Sequence, residues 1–160
     1  MNTARAVVIG VGNEYRHDDG IGIAVVDELR ERDLPGVRVL VSDGEPAALL
    51  DAWTGVELAI VVDAVLCEPS TPGRIWRSIV DGLTPSAGAA SSHALGIPDA
   101  LRLGEALGRV PGELVVFAVE AADLDLGVGL SPPVSAALPE VIRAVLAELG
   151  RTTDPATTGV

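Results

Sequence analysis

Apolar positions along the chain fall into short continuous runs and longer runs with a helical period, and the two kinds alternate. Residues 5–11, "RAVVIGV", are an apolar run bounded by glycine, as a strand covered on both faces requires. Ile21, Val25 and Leu29, with Gly22 and Val26 beside them, recur at helical spacing through "IGIAVVDELRER", and "LPG" ends that segment. "VRVLVSDG" predicts a second strand and "PAALLDAW" a short helix. "ELAIVVDAV" is so uniformly apolar that it belongs at the sheet centre, and its one charged interior residue is Asp63.

Only "LCEPSTP" separates that third strand from "GRIWRSIV", too little chain for a crossover helix. The fourth strand is therefore expected to run antiparallel or to pair at an edge. A long Gly, Ser and Ala-rich loop, "DGLTPSAGAASSHALG", leads through His93 to a third helix from about Ile97 to Leu107, then to a fifth strand, "ELVVFAVE". After the loop "AADLDLGVGLS", a helical stripe runs through Val134, Leu138, Val141, Val145 and Leu149, backed by Ala137, Ile142 and Leu146. Pro139 interrupts it and predicts a kink or a hand-over between two helices. The pattern is that of one α/β domain over residues 1–149, in three layers: a mostly parallel five-stranded sheet with one antiparallel strand, and helices on both faces. Residues 150–160 lack apolar periodicity and read as a flexible tail.

Composition narrows the functional classes. With 23 acids against 11 bases, all arginine, the formal charge is −12, which disfavours nucleic acid and anionic membrane surfaces as partners. The single cysteine, Cys67, excludes an intrachain disulfide, and the N-terminus runs into strand 1 without an apolar leader. No apolar stretch reaches membrane-spanning length. The expectation is a cytoplasmic protein.

The stretch "GVGNEYRHDDGIG", residues 10–22, first suggests a dinucleotide-binding turn. Position 15, where the third glycine of that fingerprint would stand, is Tyr15, and Glu14, Asp18 and Asp19 put acids where a pyrophosphate would sit. The turn suits a cation better. In an open α/β sheet, functional groups gather beyond the carboxyl ends of the strands. Asp18 and Asp19 follow strand 1, Asp43 follows strand 2, Asp63 is near the end of strand 3, and His93 follows strand 4.

Asp18 or Asp19 alone would serve as a helix N-cap, leaving the other to face the crevice. A carboxylate inside "AIVVDAV" needs partners or a cation to offset its desolvation, which favours a functional Asp63. Asp43 reads equally as an Asp-Gly turn or a site-lining residue, His17 as a surface residue, and Cys67 as a small apolar or loop thiol. Two carboxylates and an imidazole would suit a divalent transition metal. A phosphoacceptor receiver domain would also carry such aspartates, but it needs a lysine and the chain has none.

Five segments in order, "VVIGVGNEYRHDDGIGIAVVDEL", "SDGEPAALL", "AIVVDAV", "SSHALGIPDAL" and "GVGLSPPVSAAL", resemble the maturation endopeptidases of nickel-iron hydrogenases. The resemblance spans nearly the whole chain, from Val7 to about Leu149. It implies a protease that removes a C-terminal extension from the hydrogenase large-subunit precursor once nickel has been inserted. The family's acidic metal-contacting position after strand 1 falls on Asp19, its aspartate ending strand 3 on Asp63, and its histidine before helix 3 on His93. Asp19 and Asp63 are thereby also the candidate catalytic residues.

Asp43 and Gly44 match a turn beside the family's cleft, with Glu45 where many members carry a second glycine. Members rest without metal and meet nickel held by substrate cysteines, so the resemblance implies nickel supplied by the substrate and no tightly bound organic cofactor. Two other readings stand beside it: a nucleotide or dinucleotide-binding module, and a chaperone that holds the precursor without cutting it.

Overall fold

A computed structural model of the chain describes residues 4–80 and 96–152. The elements are β1 (Ala6–Val11), a 3-10 turn (His17–Gly20), α1 (Ile21–Arg30), β2 (Val37–Ser42), α2 (Pro46–Trp53), β3 (Leu58–Val65), β4 (Ile75–Val80), α3 (Gly96–Leu107), β5 (Glu113–Glu120) and α4 (Pro132–Thr152). The five strands form one sheet in the order β2-β1-β3-β5-β4. β2, β1, β3 and β5 are parallel, and β4 runs antiparallel to β5 at the edge. The short connection before β4 could only have produced such a strand. β3 lies at the centre, as its unbroken burial requires.

Side chains alternate between two aliphatic cores. Ala6 and Val8 of β1, Leu58, Ile60, Val62 and Ala64 of β3, and Val115, Phe117 and Val119 of β5 pack with α1 and α4. Val7, Ile9 and Val11 of β1, with Ala59 and Val61 of β3, pack with α2 and α3. Asp63 continues the second series at its carboxyl end. The predicted stripe of α1 is fully buried, from Ile21 through Leu29, and each such aliphatic side chain contributes about 1.5–3 kcal/mol by leaving water.

α1 lies very close to β1. A Cβ at Gly10 would stand 2.2 Å from the Gly22 carbonyl oxygen, and one at Gly22 would stand 2.6 Å from that of Val62. Close helix-to-strand packing of the kind a third fingerprint glycine permits is therefore present although position 15 is Tyr15, with Gly22 in that role.

α4 is one element rather than two, although Pro139 lies inside it. The proline removes one N–H donor, but Val134, Ala137, Val141, Val145 and Leu149 are all buried on one stripe that spans it, and that packing carries the helix through. The helix also continues beyond Leu149, with Arg151 bonded to Glu148 and Glu113. No helix among the described residues is long and apolar enough to cross a membrane.

Candidate active site

Two aspartates meet where β1 and β3 end. Asp19 sits in the 3-10 turn that follows β1, and Asp63 on the last turn of the β3 pleat, one residue past the point where Gly10 pairs with Val62. They are 2% and 4% exposed, and the turn packs against β3. Asp19 Oδ2 accepts the Asn13 N–H at 3.0 Å, and a side chain at Gly12 would strike the Asp19 carbonyl at 2.0 Å, so the turn wraps tightly over the end of the strand. Asp63 Oδ1 accepts the Ala64 N–H at 2.8 Å.

Burial pushes the Asp63 carboxyl up to about 8; the Ala64 bond works against this, and the negative Asp19 beside it adds to it. At neutral pH Asp63 thus holds a proton that it is ready to exchange. A buried acid near 8 beside a second carboxylate can release its proton to solvent when a cation arrives and, once ionised, can take one from a water.

Asp18, next in the chain, has a different task. Its carboxylate accepts the N–H groups of Ala122, Asp123 and Ser131 at 2.8, 3.0 and 2.7 Å, and the Ser131 hydroxyl at 2.8 Å. Burial works to raise this carboxyl, but those bonds outweigh it and hold the group below its ordinary value. Neither aspartate is the expected N-cap: the cap position of α1 is Gly20, the last residue of the 3-10 turn, and no side chain caps the helix. Asp18 instead clamps the loop between β5 and α4 to the turn carrying Asp19. His17, read from the sequence as a surface residue, is half-buried and belongs to the same joint, with φ of 43° and its ring Nδ1 2.9 Å from the Gly129 carbonyl oxygen.

The remaining candidates separate. Asp43 is exposed and its Oδ1 accepts the Glu45 N–H at 3.0 Å, which is the turn-forming role. His93 lies outside the described residues. Among the described residues no group of three or more His, Cys, Asp and Glu side chains is placed to hold a metal ion, and the site there consists of the carboxylate pair.

Sequence reasoning missed Glu120, 2% exposed at the end of β5, where it accepts the Thr71 N–H and the Trp76 Nε1–H, each at 2.8 Å. Burial opposes its ionisation, yet these donors and the nearby Arg74 hold its carboxyl below the ordinary range. Cys67 is held beside it, its thiol pushed up by burial and by the Glu120 charge. The Asn13 N–H, one of the backbone donors of this turn, is engaged by Asp19.

The profile of the HycI hydrogenase maturation protease family matches residues 23–148. The hydrogenase 2 maturation protease of Escherichia coli is 30% identical over 149 residues, covering 91% of this chain and 90% of that protein. The solved hydrogenase maturating endopeptidase HybD of E. coli superposes with a TM-score of 0.82 at 28% identity, covering 93% of this chain and 94% of that one. HybD from Thermococcus kodakarensis gives 0.74 at 27%, covering 91% and 99%. The chain has the same single α/β domain, and it belongs to the hydrogenase maturation protease family as a maturation endopeptidase.

Proposed function

We propose that this protein removes the C-terminal extension of a nickel-iron hydrogenase large-subunit precursor after nickel insertion, and that Asp19 and Asp63, with His93, meet the nickel the precursor brings. The observation that carries the reading is the buried pair at the ends of β1 and β3, in which Asp63 sits near 8 because it is desolvated beside Asp19. At neutral pH two neighbouring carboxylates ionise together more readily when a cation joins them. A metal-loaded precursor supplies that cation, and a precursor without metal leaves the pair carrying its proton. Recognition of the metal and readiness for hydrolysis are thereby coupled at one carboxyl.

Once ionised, Asp63 is the group in this pair suited to accept a proton from the attacking water, with Asp19 holding the opposite side of the site. The reading places the protein in the cytoplasm, in keeping with a chain whose only cysteine is Cys67.

The test is cleavage of a cognate precursor, loaded and nickel-free, by the unaltered protein and by Asp19→Asn, Asp63→Asn and His93→Ala, with intact mass as readout. Release of a C-terminal peptide only from loaded precursor, and only by the unaltered protein, is the expected result. Equal cleavage of both precursors, or full activity in all three variants, would remove the metal-recognition reading.

A further inference from the structure

The loop after β5 lies against the turn that carries Asp19, and the two are joined backbone to backbone. Gly127 N–H donates to the Tyr15 carbonyl at 2.8 Å, His17 N–H to the Gly127 carbonyl at 2.8 Å, and Asp18 N–H to the Asp123 carbonyl at 2.9 Å. Arg16 and Gly127 form a parallel bridge, and Arg16 Nε donates to the Leu124 carbonyl at 3.1 Å. The four bonds to the Asp18 carboxylate close the arrangement from the other side.

A loop held in this way has a choice of where to put its apolar side chains, and this one divides them. Leu124 and Leu130 pack against the α1 and α4 core. Leu126 and Val128 point out of it, 84% and 75% exposed, and across the bridge Tyr15 is 61% exposed. Large apolar side chains presented by a fixed backbone lose little freedom on being covered, which is the condition for an interface anchor. Exposed Glu14 and Asp125 flank them, so a partner of complementary chemistry is apolar at its centre with basic residues at its border. Tyr15 stands four residues before Asp19, so whatever covers the patch lies beside the turn that carries this aspartate.

We infer that Tyr15, Leu126 and Val128 are the docking surface for the folded body of the large-subunit precursor, and that seating there delivers its C-terminal segment to Asp19 and Asp63. This rests on the proposed function for the identity of the partner. The surface confers binding; the carboxylates confer chemistry.

The experiment pairs binding with turnover, using the full chain and nickel-loaded cognate precursor. With the Leu126→Ser, Val128→Ser double variant, Kd and KM are expected to rise about ten-fold or more, with kcat/KM falling by the same factor and unchanged melting showing an intact fold. Asp63→Asn is expected to bind precursor and not cleave it. Cleavage by the unaltered protein together with unaltered Kd and KM in the double variant overturns the docking surface and leaves the proposed function standing. Failure of the unaltered protein to cleave sinks the proposed function, and the surface is then judged on binding alone: a complex that the double variant loses upholds it, and no complex overturns it.

A dimer of this chain that the double variant breaks, with precursor binding intact, also overturns it by assigning the patch to self-association. Glu14→Gln with Asp125→Asn is expected to slow association and flatten its dependence on salt, and indifference to both overturns the basic border assigned to the partner.

Discussion

β3 and β5 are hydrogen-bonded neighbours, and each carries a buried carboxylate toward its carboxyl end, Asp63 on one and Glu120 on the other. Both are shielded from water, yet their protonation differs in direction. Glu120 has the Thr71 N–H and the indole N–H of Trp76 turned toward it, with the Arg74 guanidinium stacked 4.1 Å over that same indole, and it stays ionised. Asp63 has the Ala64 N–H and an unfavourable neighbour in Asp19, and it is pushed up to about 8. Burial alone therefore does not leave a carboxylate open to a cation or a water. The number of donors facing it decides that, because a saturated carboxylate has little capacity left for either, whereas an under-solvated one gains by meeting them.

The strongest way to break this contrast is to neutralise Asp63 without changing its shape. Asp63→Asn is expected to lower cleavage of loaded precursor by about 10²–10⁴-fold, the range of a lost general acid or base. The measurement is single-turnover cleavage followed by intact mass. Activity close to that of the unaltered protein would make Asp63 no more functional than Glu120.

The same substitution has an opposite consequence for stability. The folded-state value of Asp63 lies above its ordinary one, so its contribution is fully present below about 3.8 and is lost as pH rises toward about 8. Over that window the folded chain binds more protons than the unfolded chain, and stability declines by at most about 1.4 kcal/mol per pH unit on account of this group. Melting temperatures of the unaltered protein and Asp63→Asn, taken from pH 5 to 8, are expected to diverge with the variant increasingly the more stable. Parallel curves would mean that Asp63 is ionised in the free protein.

Asp18 sharpens the comparison from the saturated side. Asp18→Ala strands the three N–H groups of Ala122, Asp123 and Ser131 and is expected to cost about 3 kcal/mol or more in urea unfolding at pH 7. Because its carboxyl is held below the ordinary value, its contribution is present above about 3.8 and lost as pH falls below that, the reverse of Asp63. A loss well under 1 kcal/mol would show that the loop after β5 is held by its backbone bonds without the carboxylate.

These differences mark the boundary of what the sequence discloses. The strands and helices were legible because burial imprints a period on neighbouring residues, and "ELVVFAVE" marks β5 to the residue. Asp63 was legible because a charge inside an apolar run is a local anomaly. Asp18 and Asp19 were told apart by the resemblance and not by the residues around them, since the donors that engage Asp18 lie more than 100 residues further along the chain. Glu120 was hidden at a strand end, where a glutamate is unremarkable until Trp76 and Thr71 are folded onto it. The position of His93 falls outside the described residues, so the third member of the implied set is known from the resemblance alone.

Glu120→Gln is the gentlest of these perturbations and the most diagnostic of the contrast itself. The amide oxygen can retain one of the two bonds, to Thr71 N–H or to the Trp76 indole, but the amide NH2 then confronts the other donor. The cost is expected to be about 1–2 kcal/mol. Trp53 is fully buried while Trp76 is 41% exposed, so release of the Trp76 indole should shift the emission spectrum to the red. Cleavage of loaded precursor is expected to survive, because Glu120 spends its lone pairs on the fold. Loss of cleavage with an unchanged emission spectrum would reverse the assignment, making the end of β5 part of the chemistry and its carboxylate a partner of Asp63 rather than its foil.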